Sequence, residues 1–237
     1  MPSLSRRTVI VSGAALAASA CAVRPFGAGR EPGQVVWTFD NLRRIGGAPV
    51  AIFGAPQVTS SPFGPAVAFD GVDDHLAIEH HPLVGAPAFT AEALFRPDGG
   101  AFEQRWLHLA EAGPVNPEQT RILFEIRVRD GRWWLDAFAR GPGYRQPLID
   151  ETKTHPIGAW AHVAQTCDGR LYRCFVNGVL QAEAPMAFTP QGAGRTTIGA
   201  RMDPRDFFKG AVREARFTPA ALSPEHFSIP PGLSRAG

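Results

Sequence analysis

The stretch Ile122-Leu123-Phe124-Glu125-Ile126-Arg127-Val128-Arg129-Asp130-Gly131-Arg132-Trp133-Trp134-Leu135-Asp136-Ala137-Phe138 contains two alternating runs broken at one point. Ile122, Phe124, Ile126 and Val128 share one face, and Leu123, Glu125, Arg127 and Arg129 share the other. A period of two is that of a β-strand with one buried face. Asp130-Gly131 supplies two residues that tolerate positive φ, as a two-residue hairpin turn demands. With that turn Arg129 opposes Arg132, Val128 opposes Trp133, and Arg127 opposes Trp134. Glu125 then opposes Asp136, and Leu123 opposes Phe138. Trp133 joins Val128 on the core face. Trp134 falls on the other face with Glu125, Arg127, Asp136 and, further along, Arg140.

The same punctuation recurs outward along the chain at Asp168-Gly169 and Asn177-Gly178. From Val35 onward, short apolar segments alternate with turn signals about every ten residues, the pattern of an all-β sandwich. Gly (25) and Pro (22) make up about a fifth of the 237 residues, which suits many turns better than long helices. A hydrophobic fraction of 44% still fills a sizeable core. The one helical signal is short, Ser223-Pro224-Glu225-His226-Phe227, with Ser223 as N-cap and Pro224 at the first helical position. If Asp168-Gly169 is also a two-residue turn, Cys167 faces Arg170 and Cys174 faces Val163, too far apart to bridge. Both are expected to be buried free thiols.

Residues 1–20 read as an export signal: the pair Arg6-Arg7, an apolar Ala-rich run, and Ala18-Ser19-Ala20 as an A-x-A cleavage site. The arginine pair resembles a twin-arginine signal, and Cys21 directly after Ala20 resembles a lipoprotein box. A lipidated Cys21 and plain cleavage before it are both open. Residues 21–34, rich in Pro, Gly and Arg, read as a flexible tether. Lys plus Arg is 24 and Asp plus Glu is 22, and the two surplus charges lie in the signal. The remainder is neutral, which argues against nucleic acid or an anionic membrane as the partner of a large basic face. It points to hydroxyl-rich or protein ligands instead of polyanions. Only Lys153 and Lys209 are lysines; the other 22 basic residues are arginines.

Four segments in order resemble the laminin G-like, concanavalin A-like jelly-roll family of bacterial surface proteins. Phe69-Asp70-Gly71-Val72-Asp73-Asp74 is similar to its FDG-x-DD turn, and Phe89-Thr90-Ala91-Glu92-Ala93-Leu94-Phe95-Arg96-Pro97 to a strand of the form FT-x-E-A-W-h-x-P, h being apolar. Trp160-Ala161-His162-Val163-Ala164, through Asp168-Gly169, to Phe175-Val176-Asn177-Gly178 resembles its W-x-H-V-A … DG … h-V-N-G hairpin. Phe208-Lys209-Gly210-Ala211-Val212-Arg213-Glu214-Ala215-Arg216-Phe217, ending in Ala221-Leu222-Ser223, resembles its closing strand. The resemblance implies an all-β, two-sheet antiparallel jelly-roll sandwich over residues 35–228, preceded by the signal peptide and followed by a tail at 229–237. In such a sandwich Trp160 is expected in the core. The fold hosts binding modules, glucanases and lyases alike.

Asp70, Asp73 and Asp74 crowd one turn, and hard carboxylate oxygens suit a structural calcium, which members of the resembled family often hold near such a turn. Against this, Arg213 stands where the closing strand commonly carries Asp, and Asx-type turn capping explains the same residues. His75, His80 and His81 are expected at the surface; adjacent strand residues such as His80 and His81 point to opposite faces.

The candidate ligand face comprises Trp134, Arg127, Glu125, Asp136 and Arg140. An aromatic plane stacks on a sugar's CH face while charged groups bond its hydroxyls. The competing reading is cross-strand stabilisation, with Arg127 stacked on Trp134. For catalysis, Glu125 and Asp136 with Arg127 form the best acid/base constellation; a lyase would need Arg127, His162 and Tyr172 to converge. The E-x-D-x-x-E run of a retaining glucanase is absent. The sequence therefore points to an exported non-catalytic module that binds carbohydrate or another surface polymer, located in the periplasm, anchored at the outer membrane or at the cell surface. A polysaccharide hydrolase or lyase is the alternative, and an adhesion module with a protein partner the second.

Overall fold

The computed structural model describes residues 30–114, 116 and 118–233. The export signal and Cys21 lie outside the described residues. The chain first forms β1 (Val35–Thr38), β2 (Arg44–Ile45), β3 (Ala48–Pro49), β4 (Ala51–Phe53), β5 (Gln57–Thr59), β6 (Ala66–Asp70) and β7 (His75–Ile78). The long strands β8 (Phe89–Pro97), β9 (Glu103–Glu111), β10 (Arg121–Arg129) and β11 (Arg132–Gly141) follow. β12 (Tyr144–Ile149), β13 (His155–Pro156), β14 (Ala161–Cys167) and β15 (Leu171–Val176) come next, then β16 (Val179–Pro185), β17 (Gly194–Ile198) and β18 (Lys209–Thr218).

These strands build two antiparallel sheets of eight and a small β2–β3 ribbon. The back sheet runs β16-β15-β14-β8-β18-β6-β5, with β1 also paired to β18; the front sheet runs β12-β11-β10-β9-β17-β7-β4, with β13 paired to β11. This is the expected all-β jelly-roll sandwich. Its two inner faces meet through large rings. Phe95 of the back sheet stacks on Trp106 at 4.7 Å and meets Trp133 edge-on at 5.1 Å, and Trp106 lies 5.0 Å from Phe124. Truncating any of these buried rings to Ala would cost about 3–5 kcal/mol.

The Asp130-Gly131 turn has φ of 52° and 71°, and all five expected cross-strand pairs of β10 and β11 form. Asn177-Gly178, at 50° and 79°, closes β15 onto β16 in the same way. Asp168-Gly169 does not make a two-residue turn. Cys167 pairs with Tyr172 and Cys174 with Gln165. The Asp168 carboxylate accepts from the backbone N–H groups of Arg170 and Leu171 at 2.9 and 2.8 Å, a side-chain turn that lengthens the loop. Both cysteines are nonetheless free and buried, as expected.

Trp160 is not in the core. It precedes β14, is half-buried, and packs edge-on to Phe63 at 6.0 Å under the Arg96 guanidinium at 5.5 Å. The short 3₁₀ turn Pro224–His226 is present with Ser223 at the N-cap position, but the Ser223 hydroxyl donates to Glu225 Oε1 at 2.6 Å and caps no backbone N–H. The packed body also exceeds the expected boundaries. Gln34 is buried and donates to Thr218 Oγ1 at 2.9 Å. Ile229 joins Ala164, Phe175 and Phe227 in a second apolar cluster, with Leu222 and Leu233 against it.

Candidate functional site

The outer face of the front sheet carries the charges that the alternation in β10 and β11 sends away from the core. Arg127 lies diagonally across from Asp136, its Nη2 2.5 Å from Oδ2, while its Nη1 reaches Glu125 Oε2 at 3.4 Å. The partner strand β9 completes the group through a bulge. The register shifts between Phe124 and Glu125, so that Phe124 pairs with Leu107 and Glu125 with Arg105. Trp106 and Leu107 both turn inward, and Arg105 is re-aimed outward. Its Nε then lies 3.1 Å from Glu125 Oε1, and its Nη1 pairs with Glu103 and Asp206.

Asp206 belongs to the loop between β17 and β18, which forms one wall. Gly199 starts this loop with φ of 91°, and an added Cβ would meet the Phe69 ring at 2.5 Å, so glycine is required there. Backbone bonds from Phe208 N to Gly199 O (2.8 Å) and from Gly199 N to Trp106 O (3.0 Å) fasten the loop's base. Met202 N donates to His108 Nδ1 at 2.9 Å and ties the loop to β9. Between loop and sheet is a hollow of ≈ 320 Å³ whose walls include Glu125, Arg127, Asp136, Phe138 and Arg201.

Burial pushes the Asp136 carboxyl up to about 6, the Glu125 charge adds to the rise, and Arg127 opposes it. Burial also works against the Arg105 cation, but the charges of Glu125 and Asp206 outweigh it and raise its pKa. The arrangement positions a carboxyl able to exchange a proton near neutrality beside fixed cations.

Trp134 is on the expected face but presents no open plane. The residue is 3% exposed, covered edge-on by Phe102 at 6.0 Å and by the Arg129 guanidinium at 5.6 Å. The cation over Trp134 is therefore Arg129, while Arg127 lies 5.9 Å from the Phe102 ring. Phe102 is itself 42% exposed and is the aromatic surface available at this end of the face. Arg140 lies further along the strand, pairing with Glu118 beside a separate groove lined by Thr120, Tyr144 and Arg145. Arg127, His162 and Tyr172 do not converge. His162 bonds Glu92 on the outer side of the back sheet, near Phe227, and Tyr172 is fully buried in the core.

Asp70, Asp73 and Asp74 do gather, each with a ligand atom within 4.8 Å of the others. Two of the three carboxylates, Asp70 and Asp74, already accept from backbone N–H groups. Asp74 is buried and accepts from Ala55 N at 2.5 Å and Asp70 N at 3.0 Å; Asp70 accepts from Val72 N at 2.8 Å, and this bond above all lowers its pKa. Arg213 Nε donates to Phe63 O at 2.8 Å. Of the three histidines only His80 is at the surface. His75 is buried against Phe53, and His81 bonds Gln191 at 3.0 Å, with burial lowering its pKa. His75 and His81 are packing residues.

Residues 70–227 match the family described as the concanavalin A-like lectin/glucanases superfamily. The chain belongs to that superfamily. No curated protein matches it. Among solved members of the fold, domain 4 of the extracellular arabinanase AbnA from Geobacillus stearothermophilus, solved with arabinotriose, aligns with a TM-score of 0.60 at 19% identity. That alignment covers 80% of this chain and 93% of the arabinanase domain. The binding domain of botulinum neurotoxin DC, solved with SialylT, aligns at 0.56 with 11% identity, over 84% of this chain and 50% of its own. The CBM40 module of the Ruminococcus gnavus IT-sialidase aligns at 0.51 with 15% identity, over 74% of this chain and 96% of its own. At these identities the likeness establishes the fold.

Proposed function

We propose that this superfamily member is an exported, non-catalytic module that binds carbohydrate or another cell-surface polymer through the outer face of its front sheet. The observation that carries this is the hollow. Glu125 and Asp136 are buried there, paired by the partly buried Arg105 and Arg127, on a sheet face that the sandwich needs only to keep soluble. Burying such charges is costly. Pro147 adds exposed apolar surface to the same walls. Charged forks bond sugar hydroxyls while apolar surface packs against CH faces. The relatives solved with arabinotriose and SialylT support this choice of ligand class.

Pure protein incubated with a polysaccharide panel is expected to be retained and to release neither reducing ends nor unsaturated products. Product release would favour the second reading, a hydrolase or lyase using Glu125, Asp136 and Arg127, for which the raised Asp136 carboxyl speaks. Arg127 bound to both carboxylates speaks for the first, because it occupies oxygens that an acid/base pair would present. Retention of no polysaccharide would favour a protein partner. The export reading rests on residues 1–20, and intact-mass analysis of membrane and soluble fractions separates a lipidated Cys21 from plain cleavage.

A further inference from the structure

The hollow on the front sheet is unevenly charged. Arg105, Arg121, Arg127, Arg145 and Arg201 line it against only two carboxylates, Glu125 and Asp136. Arg105 and Arg127 are committed to those carboxylates and to Glu103 and Asp206. The other three arginines sit toward the far end. Arg121 and Arg145 lie over the Phe138 ring at 5.1 and 5.4 Å. Arg121 also donates to Gln119 O at 2.9 Å, and Arg201 is ion-paired at 2.7 Å with Asp203, a loop residue outside the hollow's lining, which leaves Arg145 as the exposed cation of the three.

A second group registers the same excess. His108, opposite Leu123 in the β9–β10 register, is fully buried. Its Nδ1 accepts from Met202 N, so the proton is on Nε2, which has no hydrogen-bond partner among the described residues. Burial, and then Arg121, Arg201, Arg105 and Arg195, hold it well below the usual histidine range. Burial, then Arg201 and Arg145, likewise lower Arg121. Gathering like charges in a partly desolvated pocket costs free energy that an incoming anion would recover.

We propose that the hollow binds an acidic saccharide, its oxyanion held by the exposed Arg145 together with Arg121 and Arg201 and its ring against the exposed Pro147. This rests on the reading of the face as a saccharide site. Planar guanidinium forks match a carboxylate or a sulfate in two-point contacts. The volume of ≈ 320 Å³ is at the small end for ligand pockets and suits one sugar-sized group. The neutral balance of the mature sequence, which points away from anionic ligands, conceals this local surplus. Part of the arginine bias thereby acquires a role.

The test is calorimetric titration of the full chain with an oligogalacturonide, an oligomannuronate and a sialyllactose, each beside its carboxyl-reduced counterpart, and with a sulfated oligosaccharide. At least one acidic ligand is expected to bind tenfold or more tightly than its reduced form, with affinity falling as salt rises. The ratio of carboxylated to sulfated binding identifies the oxyanion. Arg201→Gln, and the exposed Arg145→Gln with its melting temperature unchanged, are each expected to weaken binding about fivefold or more. Equal binding of acidic and reduced forms, or full affinity in R145Q and R201Q, overturns the acidic class and leaves the saccharide reading standing. Binding of none of these, with neutral polysaccharides also unretained, overturns both.

Discussion

Arg127 Nη2 lies 2.5 Å from Asp136 Oδ2, and the same guanidinium reaches Glu125 at 3.4 Å, so one cation serves two carboxylates that face each other across the hairpin. Arg127→Ala would leave both buried charges short of their shared partner. The expected loss is about 3 kcal/mol at pH 7.5 and clearly less at pH 5, where Asp136 takes up a proton. Urea unfolding at the two pH values measures it. A small loss, equal at both, would mean that solvent screens the cluster.

The raised Asp136 carboxyl has a consequence for stability of definite sign. In the unfolded chain it titrates near 3.8 and in the native state near 6. Between those values the native protein holds a proton that the unfolded chain has released. Stability therefore falls as pH rises from about 4 to 6 and then levels off. A shift of about two units is worth about 3 kcal/mol at most, since Glu125 and Arg127 respond to the same proton. Asp136→Asn is expected to flatten this fall and to be more stable than the parent above pH 6. A variant that unfolds more readily at pH 7.5 would show that the ion pair with Arg127 outweighs the burial.

The β10–β11 hairpin was legible because Asp130-Gly131 fixes the register by itself, and the face assignments of Trp133, Glu125 and Asp136 followed from the period of two. Arg105, His108 and Arg201 were not legible. Arg105 reaches Glu125 only through a bulge, and Arg201 stands on a loop whose path depends on Gly199 and on contacts with β9. Burial of Trp134 was also hidden, because Phe102, which covers it, precedes β9 on a segment with no alternation. Asp168-Gly169 misled for a local reason: side-chain capping by Asp168 competes with the tight turn.

Phe102, rather than Trp134, is the aromatic ring exposed at this end of the front sheet's outer face. Phe102→Ala is expected to uncover the Trp134 ring, with increased acrylamide quenching and a stability loss of about 1 kcal/mol, because Phe102 is already 42% exposed. Trp134→Ala removes a buried ring and is expected to cost about 3–5 kcal/mol. If polysaccharide retention falls in Phe102→Ala with the melting temperature nearly intact, Phe102 belongs to the binding surface. Unchanged retention would confine the site to the hollow beyond it.

Asp74 separates loop capping from calcium. Its two oxygens accept from Ala55 N and Asp70 N, tying the segment before β5 to the turn after β6. Asp74→Ala leaves those N–H groups without their charged acceptor, at an expected cost of about 2–3 kcal/mol. Asp70 and Asp73 are exposed, and substituting Asp73 removes no backbone acceptor comparable to Asp74. If capping is the role, EDTA leaves the melting temperature of the parent unmoved, added calcium does not raise it, and Asp73→Asn is nearly neutral. A melting temperature that rises with calcium in the parent but not in Asp73→Asn would assign the cluster to the ion instead, since only a bound cation makes an exposed carboxylate with so little local bonding matter to the fold.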